Sequence, residues 1–202
     1  MDSAKLNVAI MILLSAVILG LAATLVRARL THRTLKLTHL KWEWLVFVCV
    51  IPQIFAFYLP STGRYIPESI LPVIQILSMF GLVVFALSNL VAPGFWALGF
   101  GLICNFLVIL CNGGWMPISV DTLQQTLPSR QADSWTIGSR LGFTKDLILM
   151  PANTRLVWLS DRFTLPPGLP QNIAFSLGDI FISVGAFFLL WSLSRKEVKE
   201  TT

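Results

Sequence analysis

The chain has 202 residues, 55% of them hydrophobic and only 12% charged, with a formal net charge of +5 at pH 7. That is too apolar for an ordinary soluble domain. The basic excess gathers in two short stretches beside apolar runs, which marks membrane topology and excludes nucleic-acid binding as its explanation.

A membrane-spanning helix needs roughly 20 apolar residues, because about 30 Å of hydrocarbon is crossed at about 1.5 Å per residue. Five runs qualify, at 7–26, 42–59, 70–90, 93–111 and 173–193. Helices are the natural form, since lipid cannot satisfy open backbone groups. The predicted fold is an all-α membrane protein: a five-span transmembrane helical bundle forming a single domain over 1–202.

The first run follows MDSAKLN, which holds one acid and one base and is not the basic leader of a secretory signal. It is expected to be a span rather than a cleaved leader. The basic residues come after it, as Arg27, Arg29, Arg33, Lys36 and Lys41. The tail adds Arg195, Lys196 and Lys199. Short basic flanks stay in the cytoplasm, so both agree if the N-terminus is outside and the C-terminus is cytoplasmic. Leu30, Leu37 and Leu40 share a helical face in the basic stretch, which reads as a topogenic loop or as a segment on the inner leaflet. His32 and His39 have no acid or thiol beside them, so no metal is expected there.

The second span opens on Trp42, Glu43 and Trp44, and the glutamate is expected to snorkel at the interface. Cys49, Cys104 and Cys111 read as small apolar residues. The last two are seven positions apart, about 10 Å along a helix and beyond disulfide reach. Asn105, in GFGLICN, is a candidate for a hydrogen bond across helices.

The segment 112–172 is long for a connector and is not composed like a disordered tail. It opens NGGWMPIS, a turn signature in which Asn112 reads as a turn former. SVDTLQQTL predicts a short helix with Val120, Leu123 and Leu127 on its apolar face, ended by Pro128. LILMP and RLVWLS are strands or interfacial segments. LPPGLP bends the chain back toward the last span. That bend can carry Asp161, in LSDRF, toward Asp179. Taken alone, Asp161 reads as an exposed loop acid paired with Arg155 or Arg162.

In the last run Ser176, Asp179, Ser183 and Ala186 share one helical face, small and polar, suited to meet other helices. Phe181, Phe188 and Trp191 lie mostly off it and suit lipid. Asp179 therefore points into the protein. Ser176 and Asp179 also fit a capping box, in which the acid only closes the first turn. Ionisable residues inside spans mark function more often than not.

The segment LSDRFTLPPGLPQNIAFSLGDIFISVGAFFLLWSLSR resembles the C-terminal part of the bacterial lipoprotein signal peptidases. There an acid-Phe element is followed by a Pro-containing stretch and a Phe-Asn-x-Ala-Asp motif that opens the final helix. Here that motif is Phe175 to Asp179, with Ser176 in place of the Asn and Gly178 in place of the Ala. The resemblance covers about a sixth of the chain, and GFGLICN is the nearest stand-in for the family's glycine-rich element. It implies a catalytic dyad of Asp161 and Asp179 at the outer face of a bacterial cytoplasmic (inner) membrane. Asn105, Asn112, Ser176 and Lys145 are the supporting candidates. The whole chain also resembles a bacterial family of small multi-span proteins sharing Asn-Gly-Gly-x-Met-Pro and Phe-Ser-x-Gly-Asp elements, which adds no chemistry.

Two carboxylates in a low-dielectric site cannot both ionise comfortably, so one keeps its proton. The ionised acid can then deprotonate water while the other polarises a carbonyl. Trp115, Trp135 or the RLVWL stretch are candidates to roof such a site. Lys145, Arg140 or Arg155 are candidates to hold an aspartate or a lipid phosphate. No cofactor or metal is called for. The expected partners are the bilayer, a lipid-linked or membrane-protein substrate, and partners in a membrane complex. The competing reading is a non-catalytic subunit or scaffold. A carrier would call for midplane ionisable groups and broken repeats, and the sequence has neither.

Overall fold

The structure is a computed structural model and describes residues 8–31, 34–35, 39–165 and 174–195. It is mostly helical. The long elements are α1 (Val8–Leu30), α2 (Glu43–Gln53), α4 (Leu71–Ser88), α5 (Phe95–Cys111) and α7 (Leu177–Ser192), with short α3 (Pro60–Gly63) and α6 (Val120–Thr126). They pack as a row in the order α1, α7, α5, α4, α2, so the last helix inserts between the first and the fourth long one.

The helix boundaries follow local chemistry. Pro52 lies inside α2 and cannot donate to the helical ladder, and the chain widens into a π-helical turn over Ile54–Tyr58. Asn89 ends α4: its Nδ2 donates to Phe85 O and Lys41 O, and its Oδ1 accepts from Lys41 N. That exchange pins the end of the basic loop to the end of α4. Glu43 accepts from the Leu40 N–H at the start of α2.

One contact fixes the bundle. Helices α5 and α7 run antiparallel and approach closely because glycines face glycines. A Cβ on Gly94 would overlap Gly185 O, and one on Gly101 would overlap Gly178 O. The two pairs are seven residues apart on each helix. Such small-residue seams let backbones meet without a hydrophobic driving force. The expected polar face of α7 is therefore shared with a glycine face. Phe181, expected on lipid, packs edge-on against Phe100, with ring centroids 4.7 Å apart. Trp191 stacks on Phe187 under the Arg27 guanidinium, whereas Phe188 is exposed.

One end of the bundle carries β1 (Thr34–Leu35) paired antiparallel with β6 (Ser194–Arg195), so the basic loop and the tail lie together. The opposite end carries residues 112–165. The chain is mostly helical, but this segment folds on short strands, which is one of the two readings offered for LILMP. β2 (Met116–Ile118) pairs in parallel with β3 (Asp146–Ile148) and bridges to Asp161 on its other side. β4 (Phe163–Thr164) pairs antiparallel with β5 (Ala174–Phe175). Helix α6 forms where expected, capped by Ser119. It closes a small core of Ile118, Leu123, Trp135, Ile148 and Ala174.

α4 is long and apolar enough to cross a membrane, with 18 residues at a mean hydropathy of 2.2. The apolar stretches Glu43–Tyr58, Phe95–Cys111 and Leu177–Ser192 are shorter. The expected last span begins at Leu177 instead of 173, because Ala174 and Phe175 are used as strand. Most of the proline-rich bend, from Pro166 on, lies outside the described residues, as do His32, Arg33, Lys36, Lys196 and Lys199.

Candidate functional site

The NGGWMPI stretch builds the platform. Gly113 and Gly114 take positive φ, 70° and 90°, which side chains other than glycine's resist. Gly114 also lies against Pro72 at the start of α4, leaving no room for a Cβ. The turn then releases β2, whose two edges hold the two halves of the site. Met116 N–H donates to Lys145 O, and Asp161 N–H donates to Pro117 O, both at 3.1 Å. Lys145 and Asp161, sixteen residues apart in sequence, are thus placed side by side.

Lys145 Nζ donates to Asp161 Oδ2 at 3.0 Å and to Asp146 Oδ1 at 3.1 Å. Asp161 is 4% exposed, and its other oxygen, Oδ1, is buried and has no hydrogen-bond partner among the described residues. The expectation of an exposed acid paired with Arg155 or Arg162 is overturned. Arg162 instead lies over the Trp158 ring, 4.5 Å from its centroid.

Asp179 sits on the other side, in a closed ring of hydrogen bonds. The Asp179 N–H donates to Ser176 Oγ at 3.1 Å, and the Ser176 N–H donates to Asp179 Oδ2 at 2.9 Å, completing the capping box. Ser176 Oγ donates to Asn105 Oδ1 at 2.8 Å, and Asn105 Nδ2 donates to Asp179 Oδ1 at 2.8 Å. The capping box read from the sequence is formed, and Asp179 also meets a neighbouring helix. It caps the helix, and it is fixed from α5 by Asn105. Its two oxygens both accept from N–H groups, the pattern of an acceptor-only carboxylate.

The β4–β5 pairing sets the segments that carry the two acids side by side. Phe163, two residues after Asp161, pairs with Phe175, four before Asp179. Burial pushes the Asp161 carboxyl up to about 8, with Asp179 and Asp146 adding to the rise against the pull of Lys145. Burial pulls the Lys145 ammonium down, but Asp146, Asp161, Asp179 and Tyr58 together hold it well above the ordinary lysine value. These charges act on one another, so they form one cluster. Among the described residues no direct hydrogen bond joins Asp161 to Asp179.

Asn112 lies apart from the carboxylates. Its Nδ2 donates to Val108 O and Arg155 O, and its Oδ1 accepts from Arg155 N, so it pins the 150s loop to the end of α5. Arg140 also serves elsewhere, donating to Thr144 O and Ala56 O among the rings of Phe57 and Trp115. The candidates for a roof, Trp115, Trp135 and the RLVWL stretch with Trp158, are dispersed. Trp115 packs on Phe57, Trp135 is buried in the small core, and Trp158 is 71% exposed.

Asp146 and Tyr58 join the cluster without having been anticipated. Tyr58 ends the π-helical turn within the field of Lys145, Asp146, Asp161 and Asp179. Its only trace in the sequence is a tyrosine at the end of an apolar run. Asp146 could have been found from the Lys-Asp pair that precedes LILM.

No set of three or more His, Cys, Asp and Glu residues among those described could hold a metal ion. All three cysteines are free. No curated protein and no solved structure matches this chain. The model of a family of unknown function, DUF5317, matches residues 37–191, and the chain belongs to that family.

Proposed function

We propose that this protein is a five-span membrane protein whose two aspartates form a hydrolytic dyad at the outer face, in the manner of a membrane-embedded aspartic peptidase. Support for the multi-pass reading comes from side chains exposed along every long helix, such as Leu19, Phe47, Leu77, Phe100 and Phe188. In water such a surface would be a large exposed apolar patch. Exposed Trp42, Trp44 and Trp96 at the basic end, and Tyr65 and Trp158 at the other, suit the two headgroup layers. The β1–β6 pairing supports the orientation, because it joins Thr34–Leu35 of the first basic stretch to Ser194–Arg195, where the second begins.

The observation that carries the catalytic reading is Asp161. A buried carboxyl with one oxygen on Lys145, the other without a partner among the described residues, and a pKa raised by burial to about 8 suits a general acid. In the proposed reaction Asp179 takes a proton from water as its oxygen attacks an amide carbonyl carbon. Asp161 gives its proton to the carbonyl oxygen. The tetrahedral intermediate collapses as Asp179 passes its proton to the leaving amine and Asp161 recovers one from the intermediate. The products are a carboxylic acid and an amine. Asn105 and Ser176 position Asp179, and Lys145 positions Asp161.

A second reading has its own support. Lys145 neutralises Asp161, and Asp179 completes a helix cap, so the cluster could serve only to lock a non-catalytic subunit or scaffold. Cells expressing Asp161→Asn or Asp179→Asn separate the two. The dyad predicts accumulation of an uncleaved membrane-protein precursor with the variant still folded in the membrane. If both variants fold and the membrane proteome is unchanged, the catalytic reading fails.

A further inference from the structure

The loop that follows the Asn112 clamp has a surface unlike the rest of the segment. The 3-10 turn Val157–Leu159 packs against α5 and α7, with Leu159 turned into the bundle core. Its neighbours face the other way: Leu156 is 45% exposed and Trp158 71%. Leu156 reaches this position through a left-handed backbone, φ 53°, which a leucine rarely adopts. Strain of this kind is retained where the surrounding structure insists on it, often at ligand contacts. Here the two Asn112–Arg155 hydrogen bonds and the half-buried Leu159 hold the turn from both sides.

The charge on this lip is of one sign. Arg155 and Arg162 are exposed, and neither makes an ion pair with a described residue. The nearby acid, Asp161, is buried and paired with Lys145. The Arg162 guanidinium lies over Trp158 and flanks Phe163, which is 37% exposed. Leu107 and Leu110, toward the same end of α5, are exposed as well.

We propose that residues 155–163 form a lipid-headgroup site in which Leu156 and Trp158 enter the interface and Arg155 and Arg162 bind the phosphate of an anionic phospholipid. The inference rests on the membrane reading of the bundle and is independent of the dyad. Tryptophan suits this layer because it has an apolar body and a polar N–H, and arginine supplies forked donors for phosphate. The site sets the depth at which Asp161 sits, since Arg162 is its next residue.

The full chain is reconstituted in nanodiscs of phosphatidylcholine alone and of phosphatidylcholine mixed with phosphatidylglycerol. Incorporation is read first. A chain that stays in solution without a bilayer and does not enter the discs overturns the membrane reading and this proposal together. In the mixed discs, mass spectrometry of the released protein should show phosphatidylglycerol retained over phosphatidylcholine. Arg155→Gln with Arg162→Gln should lower that enrichment by on the order of tenfold. Brominated acyl chains should quench the emission component that disappears in Trp158→Phe. Equal phosphatidylglycerol enrichment in wild type and the double variant overturns the proposal. So does an unquenched Trp158, which would assign the lip to a protein partner. Dyad activity does not enter either readout.

Discussion

Gly178 lies against the side chain of Asn105, so close that a Cβ on residue 178 would overlap Asn105 Oδ1. The same oxygen accepts from Ser176, and the same amide donates to Asp179. The glycine that lets α5 and α7 meet is thus also the one that lets α5 grip the acid.

Gly178→Ala should therefore act twice. Overpacking of this kind costs about 1–3 kcal/mol. It would also push Asn105 off Asp179. The expected result is a lower melting temperature in detergent than for Gly113→Ala, where no atom lies within 4 Å and only the positive φ resists. Equal losses for the two variants would mean that the glycine seam is not tight.

Ser176→Ala removes a helix cap and a donor to Asn105 together. Loss of the cap alone costs about 0.5–2 kcal/mol. Asn105→Ala tests the same ring from α5. The two losses should be less than additive in a double-mutant cycle, because both variants open one closed ring. Additive losses would show that the ring is not a unit.

Asp161 gives the fold a defined pH dependence. Its pKa is raised from 3.8 in the unfolded chain to about 8 in the folded one, chiefly by burial. The folded chain binds a proton that the unfolded chain has released in this window. The associated stability is complete below the unfolded value and is lost as pH rises through the folded one. Wild-type stability should fall between about pH 4 and pH 8, and Asp161→Asn should flatten that slope. Difference infrared spectra should show a protonated-carboxyl band that fades near the upper limit and is absent from Asp161→Asn. A band that has already gone at mildly acidic pH would contradict the assignment.

Lys145→Met removes the cation that pairs with Asp161. Breaking a buried pair usually costs about 3–5 kcal/mol because a charge is left alone. Here Asp161 can keep its proton, so the loss near neutral pH should be at the lower end of that range or below it. The same carboxyl band should then persist to higher pH than in wild type, since Lys145 pulls the Asp161 value down. A band that fades at lower pH would mean that Lys145 does not act on Asp161.

The helices were legible because hydropathy is a property of consecutive residues. The apolar runs at 70–90 and 93–111 became α4 and α5 nearly at the expected limits. Ser176 and Asp179 announced their cap because a capping box is written within four residues. Asn105 was readable as a cross-helix donor, because a lone amide in an apolar run must find a partner.

What the tertiary structure alone decided is who that partner is. No local pattern says that β2 carries Lys145 on one edge and Asp161 on the other. The pairing joins Met116–Ile118 to Asp146–Ile148, segments far apart in the chain, and Gly114 fits against Pro72 just before β2. Nor does periodicity reveal that Arg162 turns to Trp158 while Asp161 turns inward to a lysine. The sequence by itself determined the helices and the cap, since those follow from neighbours along the chain. Burial, and with it the proton on Asp161, came only from the packing of distant segments, because desolvation is set by everything that surrounds a group.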